Sequence, residues 1–117
     1  MATPEGKLRD KAMKYLRSIP DNYVRKISDS CNVGYPDIDG CYLGLAYYFE
    51  LKSENGRLSK RQKYEIGKIQ KAGGRAAVVS SLEQIKLWMF VWFGLKASGR
   101  RLTVSGTETR AADRPVL

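Results

Sequence analysis

The chain contains no histidine, and this absence narrows its chemistry more than any residue it possesses. Without imidazole there is no general base of near-neutral pKa and no ring nitrogen to bind a transition metal. Catalysis would have to rest on carboxylates, lysine, tyrosine or thiol. The two cysteines, Cys31 and Cys41, are too few for the four N or S ligands of a structural zinc site, so zinc fingers are excluded. A disulfide between them stays open. The longest apolar run, Leu87 to Leu95, is nine residues, whereas a spanning helix needs about twenty, and no transmembrane segment is expected. The N-terminal MATPEGKLRDK lacks the apolar core of a secretion signal, which favours a cytoplasmic protein with free thiols.

Acids are scarce as well. Twelve Asp and Glu stand against 21 Lys and Arg, leaving +9 on 117 residues. Such a field favours a polyanionic partner, with nucleic acid first and an acidic membrane surface second. The length fits one domain, burying roughly two thirds of its unfolded surface.

What is present is organised around Gly34 to Lys52, GYPDIDGCYLGLAYYFELK. From Asp37 a β-hairpin is expected, its short arm running to Tyr42, its turn near Leu43-Gly44 and its long arm from Leu45 to Lys52. Period two then puts Tyr48, Glu50 and Lys52 on one face and Tyr47, Phe49 and Leu51 on the other, so that polar chemistry and core are separated by the pleat.

The flanks read as alternating elements. Thr3 caps a helix with Pro4 at its first position, and Leu8, Ala12, Tyr15, Leu16 and Ile19 form its stripe before Pro20 ends it. Glu5 lies on that stripe, either as a first-turn acid that suits the helix dipole or as a carboxylate turned inward. Asn22 to Ser28 suits a first strand with one buried face, on which Lys26 is either solvated or near a phosphate. Ser59-Lys60-Arg61-Gln62 is a capping box opening a second helix, with Ile66, Ile69 and Ala72 buried and Gly73-Gly74 at its end. Gln62 shares the Ile66 stripe, which leaves capping and a place beside a site both open. Arg75 to Ser80 is a short apolar strand that a crossover would make parallel.

Ser80 or Ser81 caps the last helix, Leu82 to about Phe93, apolar on nearly every side. Its outer face is covered by a second protomer or by the C-terminal tail. Residues 1–95 form the domain; 96–117 turn polar and lose periodicity, so a mostly disordered tail with a short strand at Leu102 to Ser105 is expected.

Phosphodiester hydrolysis needs an activated water, relief of phosphate charge and a proton for the leaving oxygen. A divalent cation held by Asp37, Glu50 and the Leu51 carbonyl can serve the first two needs. Lys52, on the same face as Glu50, can orient or deprotonate the water or stabilise developing charge. As isolated features, Glu50 and Lys52 would be no more than a solvated pair on a strand, worth under about 1 kcal/mol. The order G-x-P-D, aromatic arm, E-L-K, N-G loop and S-x-x-Q is far more specific. A basic row, Arg57, Lys60, Arg61, Lys63, Lys68, Lys71 and Arg75, stands against the single acid Glu65 and suits the phosphate backbone rather than particular bases.

GYPD, YYFELKSENGRLSKRQ and IQKAGGRAAVVSSLEQI resemble the virus-type replication-repair nuclease (VRR-NUC) domain of the PD-(D/E)XK superfamily, over roughly Thr3 to Trp88. The resemblance implies a restriction-endonuclease-like α/β fold, an α-β-β-β-α-β core with a central mixed sheet. It also implies Asp37, Glu50 and Lys52 as a catalytic set working with Mg²⁺ or Mn²⁺, Glu5 joining the metal site and Gln62 lying beside it. By the same likeness the chain would be a small stand-alone form similar to Holliday junction resolvases. It would act as a homodimer on branched or flapped DNA in a bacterial or phage-infected cell, with no small-molecule cofactor. Gly6, next to Glu5, departs from a good helix start by up to about 1 kcal/mol. The rival reading is a non-catalytic basic DNA-binding module on the same fold; adsorption to acidic lipid is a third.

Overall fold

The computed structural model describes residues 3–27, 34–96, 101–102 and 108–109. Helix α1 (Pro4–Ser18) starts as its sequence dictates: the Gly6 N–H donates to Thr3 Oγ1 at 3.0 Å, and Pro4 needs no hydrogen-bond acceptor there. It stops at Ser18 because Ile19, forced towards extended geometry by Pro20, takes ψ 122°. Strands β1 (Tyr23–Lys26), β2 (Ile38–Tyr42) and β3 (Leu45–Leu51) follow, then α2 (Lys60–Lys71), β4 (Arg75–Val79) and α3 (Leu82–Phe93). The sheet order is β1-β2-β3-β4; the first two pairings are antiparallel and β3 with β4 is parallel, so the sheet is mixed as expected.

The β2–β3 turn has positive φ at both central residues, 56° at Leu43 and 77° at Gly44, the hand that matches strand twist. Glycine takes this readily. Leucine does not, and its partial burial against the core helps to offset the strain. At the far end of α2, Gly73 at φ 87° lets the Gly74 N–H reach the Ile69 carbonyl at 2.8 Å, closing the helix in a Schellman motif.

One face of the sheet carries the main core. Ile38, Tyr42, Tyr47, Phe49, Leu51, Ala77 and Val79 pack there against Leu8, Ala12, Met13 and Leu16 of α1 and Ile85, Met89 and Phe93 of α3. Each fully buried aliphatic or aromatic side chain contributes roughly 1.5–3 kcal/mol. Tyr47 lies across its partner Gly40, where a Cβ would overlap the ring. Its hydroxyl donates to Asn22 Oδ1 at 2.8 Å, and Asn22 Nδ2 donates to the Leu16 carbonyl at 2.8 Å, tying β3 to the end of α1.

The opposite face is covered differently. There α2 packs against β4 with Ile66 and Ala76 buried, so the cover is at the β4 side. Strand β1 is shorter than expected and mostly exposed; Val24 alone of its residues packs on the core, because β1 is the sheet edge and α1 is its chief cover. Ser28 and Cys31 lie outside the described residues. In the tail, Arg101–Leu102 pairs antiparallel with Glu108–Thr109, overlapping the expected strand at Leu102 only; the rest of that expectation lies outside the described residues.

Candidate active site

Three elements converge at the C-terminal end of β3. Asp37 enters just before β2, where Pro36 is fully buried and the Ile27 N–H donates to the Asp37 carbonyl at 2.7 Å. Upstream, Gly34 adopts φ 86° and abuts α2 so closely that a Cβ would stand 2.6 Å from Arg61 Cγ and 2.9 Å from the Arg61 backbone. The glycine of G-x-P-D thus seats the loop on the first turn of α2. The Asp37 Oδ2 accepts the Leu51 N–H at 2.8 Å, which fixes the carboxylate at the strand end. An extended residue directs its N–H and carbonyl to the same edge, so the Leu51 carbonyl opens on Asp37's side, away from the β4 edge where the Lys52 N–H meets the Val79 carbonyl at 3.0 Å.

Glu50 is the one buried charged residue among those described, 2% exposed, on the sheet face away from the main core. Its Oε1 accepts from Gln62 Nε2 at 2.9 Å and lies 4.0 Å from Lys52 Nζ. Its Oε2 is buried with no hydrogen-bond partner. Burial first, and then the Asp37 carboxylate close enough to share a proton, push the Glu50 carboxyl up to about 8; Lys52 opposes the shift and Glu5 adds slightly to it. A buried carboxylate beside another, with an unsatisfied oxygen, is an arrangement that a cation would relieve.

Gln62 resolves the choice left open by its sequence position, because it does both things. Its Oε1 accepts the Ser59 N–H at 2.9 Å while Ser59 Oγ accepts the Gln62 N–H at 3.1 Å, completing the capping box, and its amide nitrogen reaches Glu50. Asp37, Glu50, Lys52, Gln62 and the Leu51 backbone are therefore brought together. Glu5 stays at one remove, half-buried on the α1 side of the sheet and sensed by Glu50 only through its charge. Among the described residues no three acidic or cysteine side chains form a ready-made metal cage. Two carboxylates, a carbonyl and water nonetheless suit Mg²⁺, which keeps several waters and is commonly held by one or two carboxylates.

The basic residues divide. Arg57, Lys60, Lys63, Lys68 and Lys71 are exposed along the loop and α2. Arg61 pairs with Glu65 at 3.0 Å, and both Arg61 and Lys68 lie over the Tyr64 ring. Arg75 leaves the row, stacking on Phe93 at 5.7 Å, because pleat parity turns it to the core face with Ala77 and Val79. Lys26 is exposed but also on the α1 side, in an open cleft of about 510 Å³ with Asp10, Met13, Lys14, Arg17 and Ser18. The sequence reading missed the groups beside Glu50: Tyr35 edge-on to Tyr48 at 6.1 Å and Arg25 held by Asp39 through bonds of 3.1 and 2.9 Å. Period two placed Tyr48 with Glu50; its other neighbours depend on strand register, which has no local signal.

The site thus brings paired acids and a lysine together at the end of an inner strand of a mixed sheet between helices. No family model matches the sequence, and no curated protein does. Among solved structures, one described as a VRR_NUC domain is 26% identical with a TM-score of 0.69, over 79% of this chain and 100% of that one. A second, a VRR_NUC domain protein, has 17% identity and a TM-score of 0.59 over 73% of this chain and 84% of that one, a likeness of fold alone. The chain has the fold of the VRR-NUC domain, the family its motifs resemble.

Proposed function

We propose that this chain is a divalent-metal-dependent endodeoxyribonuclease, selective for branched or flapped DNA. The observation that carries the reading is Glu50: a buried carboxyl with an unpartnered oxygen, beside Asp37, with Lys52 and Gln62 on its other oxygen. Burial of an uncompensated acid costs stability and is retained where it does chemistry.

Asp37, Glu50 and the Leu51 carbonyl would hold Mg²⁺ or Mn²⁺, with Glu5 approaching from α1. The bound ion supplies charge neutralisation at the phosphate and an acidified water. Asp37 is kept in place at the strand end by the Leu51 N–H. Gln62 fixes the rotamer of Glu50. Lys52 orients the attacking water, or takes its proton, and offsets charge on the phosphate oxygens. Arg57, Lys60, Arg61, Lys63, Lys68 and Lys71 bind the DNA backbone along α2 and its approach loop, with Lys26 meeting a further segment across the sheet edge.

The outer face of α3 exposes Leu87 (58%), Trp88 (36%), Phe90 (48%) and Val91 (59%), an apolar surface that suits a homodimer able to place two sites on one junction. Among the described residues no helix is long and apolar enough to cross a membrane. The test is cleavage of labelled four-way junction, flap and duplex DNA with Mg²⁺, Mn²⁺ or EDTA. Metal-dependent cutting of the branched substrates supports the proposal; tight binding without cutting leaves a non-catalytic module.

A further inference from the structure

We propose that the side of the sheet beside the candidate site that no described helix covers is a stacking platform for unpaired nucleotides, so that the strand delivered to Asp37 and Glu50 is locally single-stranded. This rests on the nuclease reading and adds the state of the substrate strand to it. The sheet face bearing Glu50 is covered chiefly at β4, where α2 packs; among the described residues, helix packing on β1 and on the main core is on the other face. Strand register sets Arg25 opposite Asp39 and Asp39 opposite Tyr48, making one lateral row, with Tyr23 61% exposed in the next.

The chemistry of this row is aromatic and planar rather than cationic. Asp39 grips the Arg25 guanidinium through two bonds, which neutralises it and holds its plane, while 59% of the Arg25 side chain stays exposed. Tyr35, half-buried, stands edge-on to Tyr48 at 89° and extends the row with a second ring. Duplex DNA offers phosphates outward and keeps its base faces stacked, so it has little to gain from a charge-neutral aromatic surface. Unpaired bases do gain from it, because every base has a face to stack on tyrosine or a flat guanidinium.

Two features select nucleic acid over another protein as the occupant. The platform is continuous with the candidate site, since Tyr48 and Glu50 are successive residues of one pleat, about 7 Å apart. It also adjoins the basic start of α2, because Gly34, next to Tyr35, is seated against Arg61. A strand crossing the tyrosines would thus meet cations for its phosphates on one side and the acid pair at its end.

The experiment measures fluorescence anisotropy of a labelled oligothymidine of about 12 nucleotides and of a duplex of equal length, in EDTA so that binding is read without cleavage. Tyr23→Ala and Tyr35→Ala are each expected to weaken single-strand binding about tenfold and to leave duplex binding within about twofold, while Tyr23→Phe and Tyr35→Phe keep wild-type affinity. Unchanged single-strand affinity in both alanine variants overturns the proposal. So does equal loss on duplex, or phenylalanine variants as weak as the alanine ones. A protein that binds through the tyrosines yet cuts nothing overturns the nuclease reading alone; one that cuts but ignores the tyrosines overturns the platform alone.

Discussion

Gln62 joins the cap of α2 to Glu50 with a single amide: its Oε1 accepts from Ser59 and its Nε2 donates to Glu50, each at 2.9 Å. Fraying of the first turn of α2 therefore deprives the buried carboxylate of its donor. Ser59→Ala removes half of the cap and should cost about 1 kcal/mol in urea unfolding with cleavage largely kept. Gln62→Ala removes the cap and the Glu50 donor, and should lower cleavage about tenfold or more as well, since hydrogen bonds to charged groups contribute roughly 1.5–3 kcal/mol. Equal cleavage by the two variants contradicts this coupling.

The Glu50 carboxyl titrates at about 8 in the folded protein against an ordinary 4.5. Between those values the native state holds a proton that the unfolded chain has released, so this group's contribution to stability is whole below about 4.5 and is lost as pH rises through about 8. In EDTA the wild type should lose stability from pH 5 to pH 9 relative to Glu50→Gln, as read from urea midpoints. Metal held at Glu50 would reverse the sense: its binding would expel the Glu50 proton, so Mg²⁺ affinity measured by calorimetry should increase with pH up to about 8. A pH-independent difference between the two proteins counts against the buried acid.

Gly40 gives room to the Tyr47 ring, and an added Cβ would overlap it. Gly40→Ala should destabilise by roughly 1–3 kcal/mol, the usual cost of overpacking. Tyr47→Phe leaves Asn22 Oδ1 without its donor and should cost about 1 kcal/mol. Thermal unfolding checks both, and a neutral Gly40→Ala would mean that the ring does not lie across β2.

The α3 surface makes its own prediction. Leu87→Glu with Val91→Lys, both at exposed positions, should convert a dimer to a monomer by light scattering at micromolar concentration without loss of helicity. A wild-type monomer under those conditions removes the dimer from the account.

Asp37, Glu50, Lys52 and Gln62 were legible in the sequence because the rules that place them are local. Pleat parity fixes the face of Glu50 and Lys52, and a capping box fixes the direction of Gln62. The hairpin, its turn at Leu43-Gly44 and all three helices followed from the same short-range rules. Glu5 was half-legible: helical spacing gives its face, whereas its distance from Glu50 depends on how α1 crosses the sheet. The Arg25–Asp39 bond and the Tyr35–Tyr48 pair were hidden because they depend on pairings across a loop of uninformative length. Arg75 was misread as part of the basic row, since its register in β4 is set by α2 and β3 rather than by its neighbours in sequence.

The most direct test compares wild type, Glu50→Gln and Lys52→Ala for cleavage of a labelled four-way junction with Mg²⁺ or Mn²⁺. The account predicts metal-dependent cutting by the wild type, stopped by EDTA, and rates at least about a hundredfold lower in both variants, with junction binding retained. Cutting that survives in either variant, or a wild type inactive with both metals, would contradict it.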